Sequence, residues 1–137
     1  MTNRESPKAQ HIDAHSYASL CFYWRALGEQ VRVDGPVEPL TDAEADAYWA
    51  RRRRSHQLGD WASNQSHELD SLETLQARYD ESDEAFAAQD VPRPPSWGGF
   101  RVVPDRVEFW VQGEALLHER VLYEHDGTSW RRRRLQP

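Results

Sequence analysis

GFRVVPDRVEFWVQGEALLHERVLYEHDGTSWRRRRL, residues 99 to 135, is built on alternation. From Gly99 to Val111 and again from Leu116 to Leu135, aromatic and branched side chains alternate with polar ones, the period of a strand with one face turned inward. Gln112-Gly113 and Asp126-Gly127 interrupt the pattern, and Asp-Gly between alternating runs is a strong hairpin signal. Two or three antiparallel strands are expected here, after a short proline loop, VPRPPSW at 91 to 97.

Upstream, Ser16 to Trp24 is apolar and aromatic and reads as a buried strand, with Gln30 to Val37 as its neighbour and Leu27-Gly28-Glu29 as the turn. Thr41-Asp42-Ala43-Glu44 has the capping-box pattern, which predicts a helix running into the tetrad Arg51 to Arg54. Leu69, Leu72, Leu75, Tyr79 and Phe86, spaced three, three, four and seven apart, predict a second helix ending before Pro92. The order strand, strand, helix, helix, strand, strand implies an α+β domain with an antiparallel sheet curled toward a barrel.

Its 137 residues with 38% hydrophobic content support one modest core, so a single domain is expected: strands over 1–40, a helical region over 41–90 and C-terminal strands over 91–137. No apolar run approaches the roughly 20 residues of a membrane helix and the N-terminus is polar, so a cytoplasmic protein without membrane contact is expected. The single cysteine, Cys21, lies in an apolar stretch and is expected to be a buried, inert thiol. His11 and His15 stand at helical spacing but lack a third ligand, so no metal is expected.

A net charge of -6 argues against nucleic acid as a partner. The positive charge nonetheless gathers in two tetrads, Arg51 to Arg54 and Arg131 to Arg134. Solvated faces account for such runs, and a small phosphorylated ligand, bound bidentately by guanidinium groups, is the alternative.

Several phrases together resemble the pyridoxine (pyridoxamine) 5'-phosphate oxidase family: TNRESPKAQHIDAHSYASLCFYW at 2–24, YWARRRRSHQLGDWASNQS at 48–66, RPPSWGGFRVVPDRVEFW at 93–110, LHER at 117–120 and the terminal WRRRRLQP. The resemblance implies a homodimeric, Greek-key-like split β-barrel with FMN at the subunit interface. Phe109, Trp110, Tyr123 and Trp130, more aromatic surface than a small sheet covers alone, agree with a dimer through the C-terminal strands. The implied activity is oxidation of pyridoxine or pyridoxamine 5'-phosphate to pyridoxal 5'-phosphate with oxygen as acceptor, in vitamin B6 metabolism.

Residue by residue, the resemblance assigns Thr2, Lys8, Gln30, Gln65, Ser66, Trp110 and Arg120 to FMN. It assigns Tyr48, Arg52, His56, Leu116 and His118 to the phosphorylated pyridine substrate, with His118 as the catalytic candidate near the ring. A separation of four predicts Tyr48 and Arg52 on one helix face, able to converge on one anion. Three positions depart from the family pattern: Pro7 for the Arg of an Arg-Lys pair, His56 for a phosphate-binding Ser, and Leu116 for an Arg over the substrate. Met1 also falls where the family is in mid-domain, after its first barrel strands and an R-x-V-L-L-K segment. The implied protein is therefore N-terminally shortened, by a start internal to a longer frame or by natural loss. Alternative readings are a non-catalytic flavin-binding, phosphate-binding or dimerisation module, and a paralogous flavin oxidase with another substrate.

Overall fold

The computed structural model describes residues 1–137, which divide into two compact units, Met1–Ala14 with Pro39–Phe100 and His15–Glu38 with Arg101–Pro137.

The first unit is mainly helical. A short strand β1 (Thr2–Asn3) pairs antiparallel with β4 (Trp97–Gly98), and helices α1 (Pro7–His15), α2 (Asp42–Trp49), α3 (Arg54–Ala62) and α4 (Leu72–Ala85) lie between them in sequence. Four helices thus form where the spacing predicts two main ones. Helix α1 occupies part of the 1–40 segment expected to be strand, and Pro7 explains its start: at the first helical position the missing N–H is one the helix would leave unpaired anyway.

The predicted capping box is formed, with Glu44 N–H donating to Thr41 Oγ1 and Thr41 N–H donating to Glu44 Oε2. The helix it starts ends at Trp49 rather than running through the arginines. Arg51 and Arg52 N–H bond back to the carbonyls of Tyr48 and Trp49, a tightened last turn, and a new helix begins at Arg54. Arg54 fastens that start by donating to the carbonyls of Phe86 and Gln89 beyond α4.

The unit's core is Trp49, Leu58, Val91 and Trp97, flanked by Tyr79 and Phe86. The Trp49 and Trp97 rings meet edge to face at 4.9 Å. Indole N–H groups of Trp49 and Trp61 donate to the carbonyls of Val91 and Pro92, which anchors the proline loop. Tyr79 and Phe86 pack against this core as the spacing predicts, and Leu75 is partly buried. Leu72 is 75% exposed and Leu69 precedes the helix, because the serine cap that opens α4 is Ser71.

The second unit is an antiparallel sheet in the order β2 (Tyr17–Trp24), β3 (Glu29–Pro39), β6 (Arg106–Val111), β7 (Glu119–His125), β8 (Trp130–Leu135), with β5 (Phe100–Val102) also pairing β3. Both expected turns are present: Gly28 takes φ +61 between β2 and β3, and Asp126 receives the backbone N–H groups of Thr128 and Ser129 between β7 and β8. The sheet is an open path, with β2 and β8 as edges.

Cross-strand register puts Leu20, Phe22 and Trp24 on one side with Val31, Val33, Val107, Phe109, Val111 and Tyr123. The strand expected to be buried is therefore an edge strand whose Phe22 and Trp24 remain 45% and 46% exposed. Cys21, expected to be buried, is exposed, since it points to the opposite, more polar side of that edge. On this second side the row Asp34–Arg106 lies next to Arg32–Glu108–Leu122. Leu122, Asp34 and Glu108 are buried there, and Asp34 is paired with Arg32 at 3.1 Å.

Candidate functional site

The site residues fall into two groups, one in each unit.

In the helical unit a recess of about 260 Å³ is lined by Thr2, Asn3, Arg52, Asp60, Gln65 and Trp97 among others. Three residues distant in sequence, Thr2, Arg52 and Gln65, are thus brought together. Thr2 is buried; its hydroxyl donates to Gln65 Oε1 at 2.9 Å, and the Asn3 N–H donates to the same oxygen. With that oxygen taken twice, the carboxamide nitrogen of Gln65 is the end left to donate to a ligand. Ser66, next to it, sits at φ 67, a left-handed conformation that costs a non-glycine residue energy and recurs at functional loops.

Arg52 does not share a helix with Tyr48. It lies beyond the end of α2, and the turn directs its guanidinium over the Trp97 ring, 5.4 Å from the centroid, and to Asp60 at 2.7 Å. Its Nε is buried without a hydrogen-bond partner. Asp60, which the sequence reading missed, neutralises the one arginine of the tetrad that turns inward; its only sequence signal is a spacing of eight from Arg52, too weak to single out. Tyr48 on α2, His56 in the first turn of α3 and Lys8 in the first turn of α1 are exposed and do not line this recess.

In the sheet unit, register does what spacing could not reveal. Gln30 pairs with Trp110, Trp110 with Arg120, and Arg120 with Leu135, so three flavin candidates 80 and 10 residues apart form one continuous rung. Directly opposed residues point to the same side of an antiparallel sheet, so a carboxamide, an indole and a guanidinium are presented in line. The His118 ring packs against Trp110, centroids 4.8 Å apart and planes tilted by 45°, and its Nδ1 accepts the N–H of Gly113 at 3.2 Å. That bond assigns the neutral ring's proton to Nε2, which is then the outward donor. A Cβ at Gly113 would overlap the carbonyl of Leu117, so glycine is required for this approach. Ala115 and Leu116 are consecutive left-handed residues, at φ 51 and 63, and Leu116 is 75% exposed on the loop before His118.

Residues 1–86 match the model of the pyridoxamine 5'-phosphate oxidase family, and residues 97–137 match that of the pyridoxine 5'-phosphate oxidase C-terminal dimerisation region. The chain belongs to the pyridoxine/pyridoxamine 5'-phosphate oxidase family. Curated relatives named pyridoxine/pyridoxamine 5'-phosphate oxidase are 54% identical in Myxococcus xanthus DK1622 and 49% in Anaeromyxobacter dehalogenans, each over 99% of this chain. The chain spans 66% and 69% of their lengths.

Among solved structures, PhzG from Burkholderia lata, in complex with tetrahydrophenazine-1-carboxylic acid, superposes with a TM-score of 0.92 at 35% identity, covering 99% of this chain and 66% of that one. A pyridoxamine 5'-phosphate oxidase-related, FMN-binding protein from Nostoc punctiforme shares the fold at a TM-score of 0.76 and 18% identity, with 99% of this chain and 70% of that one covered. The fold is therefore the antiparallel split barrel of these oxidases, with its sheet left open here.

The residues suit the FMN of this family best on the ring side. The rung offers an aromatic plane between two hydrogen-bond donors, complementary to a flat heterocycle edged with carbonyl acceptors. At the positions that the resemblance assigns to the cofactor phosphate the fit is thinner, since Lys8 supplies one exposed cation and Pro7 supplies none.

Proposed function

We propose that this chain carries the FMN-binding and substrate-phosphate elements of a pyridoxine/pyridoxamine 5'-phosphate oxidase and acts as a homodimer. The observation that carries the reading is the rung Gln30–Trp110–Arg120, in which residues assigned separately from the sequence share one side of one sheet. Bound FMN would supply the hydride acceptor, which no side chain can. Arg120 and Gln30 donate to the ring and Trp110 supplies a stacking surface; the family resemblance is what assigns Lys8, Thr2, Gln65 and Ser66 to FMN as well. Of the residues that the resemblance assigns to the substrate phosphate, Arg52 is the one directed into a recess and is the phosphate ligand proposed here, with exposed Tyr48 and His56 resting on the resemblance; His118 is the proposed Nε2 proton donor to the pyridine ring.

A second reading, an oxidase for a different reduced ring, draws on two observations. Leu116 replaces the family arginine and removes every donor from that position, and the PhzG structure is 35% identical.

The test is addition of FMN to the purified chain, followed by absorbance and flavin fluorescence, then peroxide release in air. The chain is expected to take up FMN and to release more peroxide with pyridoxamine 5'-phosphate than with tetrahydrophenazine-1-carboxylic acid. The reverse preference supports the second reading. Absence of flavin uptake at millimolar FMN leaves a non-catalytic module.

A further inference from the structure

We infer that Glu108 is the positioning residue that fixes the guanidinium of Arg120 in the Gln30–Trp110 rung, an inference that rests on the flavin reading of that rung. Glu108 stands in the alternating strand RVEFWV and is only 4% exposed. Arg120 Nε donates to Glu108 Oε1 at 2.7 Å, and Arg120 NH1 donates to the carbonyl of Gln136 at 3.1 Å. Two edges of the guanidinium are thereby held and the third, at NH2, is left to donate outward.

The pairing is selective. Directly across the sheet from Glu108 is Arg32, yet Arg32 bonds to Asp34 at 3.1 Å, so Glu108 is left to its diagonal neighbour Arg120. A buried ion pair contributes little net stability compared with an apolar pair of similar volume. Glu108 Oε2 is moreover buried without a hydrogen-bond partner, so the carboxylate is not fully compensated. What the carboxylate does supply is direction, since a long side chain on a strand otherwise samples several rotamers and would lose that freedom on binding.

The experiment uses the full chain and Glu108→Leu, with Glu108→Gln as the conservative variant that keeps an acceptor. Without ligand, the Nε–H resonance of Arg120, assigned by its loss in Arg120→Lys, is expected to exchange slowly in the parent and rapidly in Glu108→Leu. With FMN, Glu108→Leu is expected to bind about tenfold more weakly, the equivalent of one hydrogen bond to a charged group. Glu108→Gln should recover part of that loss, and the thermal midpoint without FMN should stay level or rise in Glu108→Leu.

Fast exchange of Arg120 Nε–H in the parent overturns the inference whatever FMN does. So does unchanged FMN affinity in Glu108→Leu, or a stability loss that Glu108→Gln does not share while affinity stays level. Should Glu108→Leu fail to fold, Glu108→Gln and the parent spectrum still decide. No FMN binding by the parent with a protected Nε–H ends the flavin reading and this use of Arg120 with it, while the pairing itself stands.

Discussion

Arg52 and Arg53 are chemically identical neighbours with different surroundings, and that difference makes a residue-level prediction. Arg52 is half-buried against Trp97 and Asp60, whereas Arg53 is exposed at the start of α3. Arg52→Ala should weaken pyridoxal 5'-phosphate binding by about 1.5–3 kcal/mol, as loss of a hydrogen bond to a charged group does, and Arg53→Ala should do little. Equal losses in calorimetric titrations, shrinking together with added salt, would show only long-range electrostatics. Asp34 makes a second prediction. Burial pushes its carboxyl up, but hydrogen bonds from Ser19 and Arg32 and the charges of Arg32 and Arg106 outweigh it and leave the group below its ordinary value. A depressed carboxylate contributes stability above the unfolded pKa, and that contribution is lost as pH falls through the folded pKa. Urea unfolding from pH 7 to 3 should therefore show a steeper acid loss for the parent than for Asp34→Asn, and parallel profiles would refute it.

At the scale of elements, the helix α2 and the β7–β8 hairpin depend on local polar bonds. Thr41→Ala removes one half of a complete capping box and should cost about 1 kcal/mol in chemical denaturation. In the hairpin, Asp126 accepts from the backbone of Ser129 and Thr128 and from the Thr128 hydroxyl, which holds its carboxyl well below the usual carboxylate range. Asp126→Ala should lower the thermal midpoint and increase amide exchange along β8 before it affects the helical unit, and uniform exchange would argue against a local role. Much of this level was legible in the sequence. Thr-x-x-Glu, Asp-Gly and Leu-Gly-Glu are satisfied within a few residues and need no tertiary context. The break between α2 and α3 was not legible, because arginines are good helix formers and the contacts found at the break, Arg52 to Asp60 and Arg54 to the Phe86 carbonyl, are long-range.

For the molecule as a whole, the sheet presents Leu20, Phe22, Trp24, Phe109, Val111 and Trp130 with exposures of 39–46% each. Contiguous apolar surface on this scale marks an interaction face, and residues 97–137 match a dimerisation region. Light scattering at micromolar concentration is expected to give a dimer mass, and a clean monomer would count against it. FMN affinity should be micromolar or weaker, because Pro7 provides no phosphate contact beside Lys8. Nanomolar affinity in a fluorescence titration would show that the missing guanidinium is dispensable.

Taken alone, the sequence determined the family, the antiparallel strands and their turns, and the identity of the candidate ligand residues, since all of these are carried by local chemistry or by phrases in fixed order. Tertiary structure alone decided which of those residues meet. Register, a long-range property set by the pairing of β3, β6 and β7, aligned Gln30, Trp110 and Arg120, and a turn rather than a helix face brought Arg52 to Asp60 and Trp97. It also decided that Cys21 is exposed and Glu108 buried. An alternating strand specifies two faces, but only the neighbours it acquires on folding determine which face is covered.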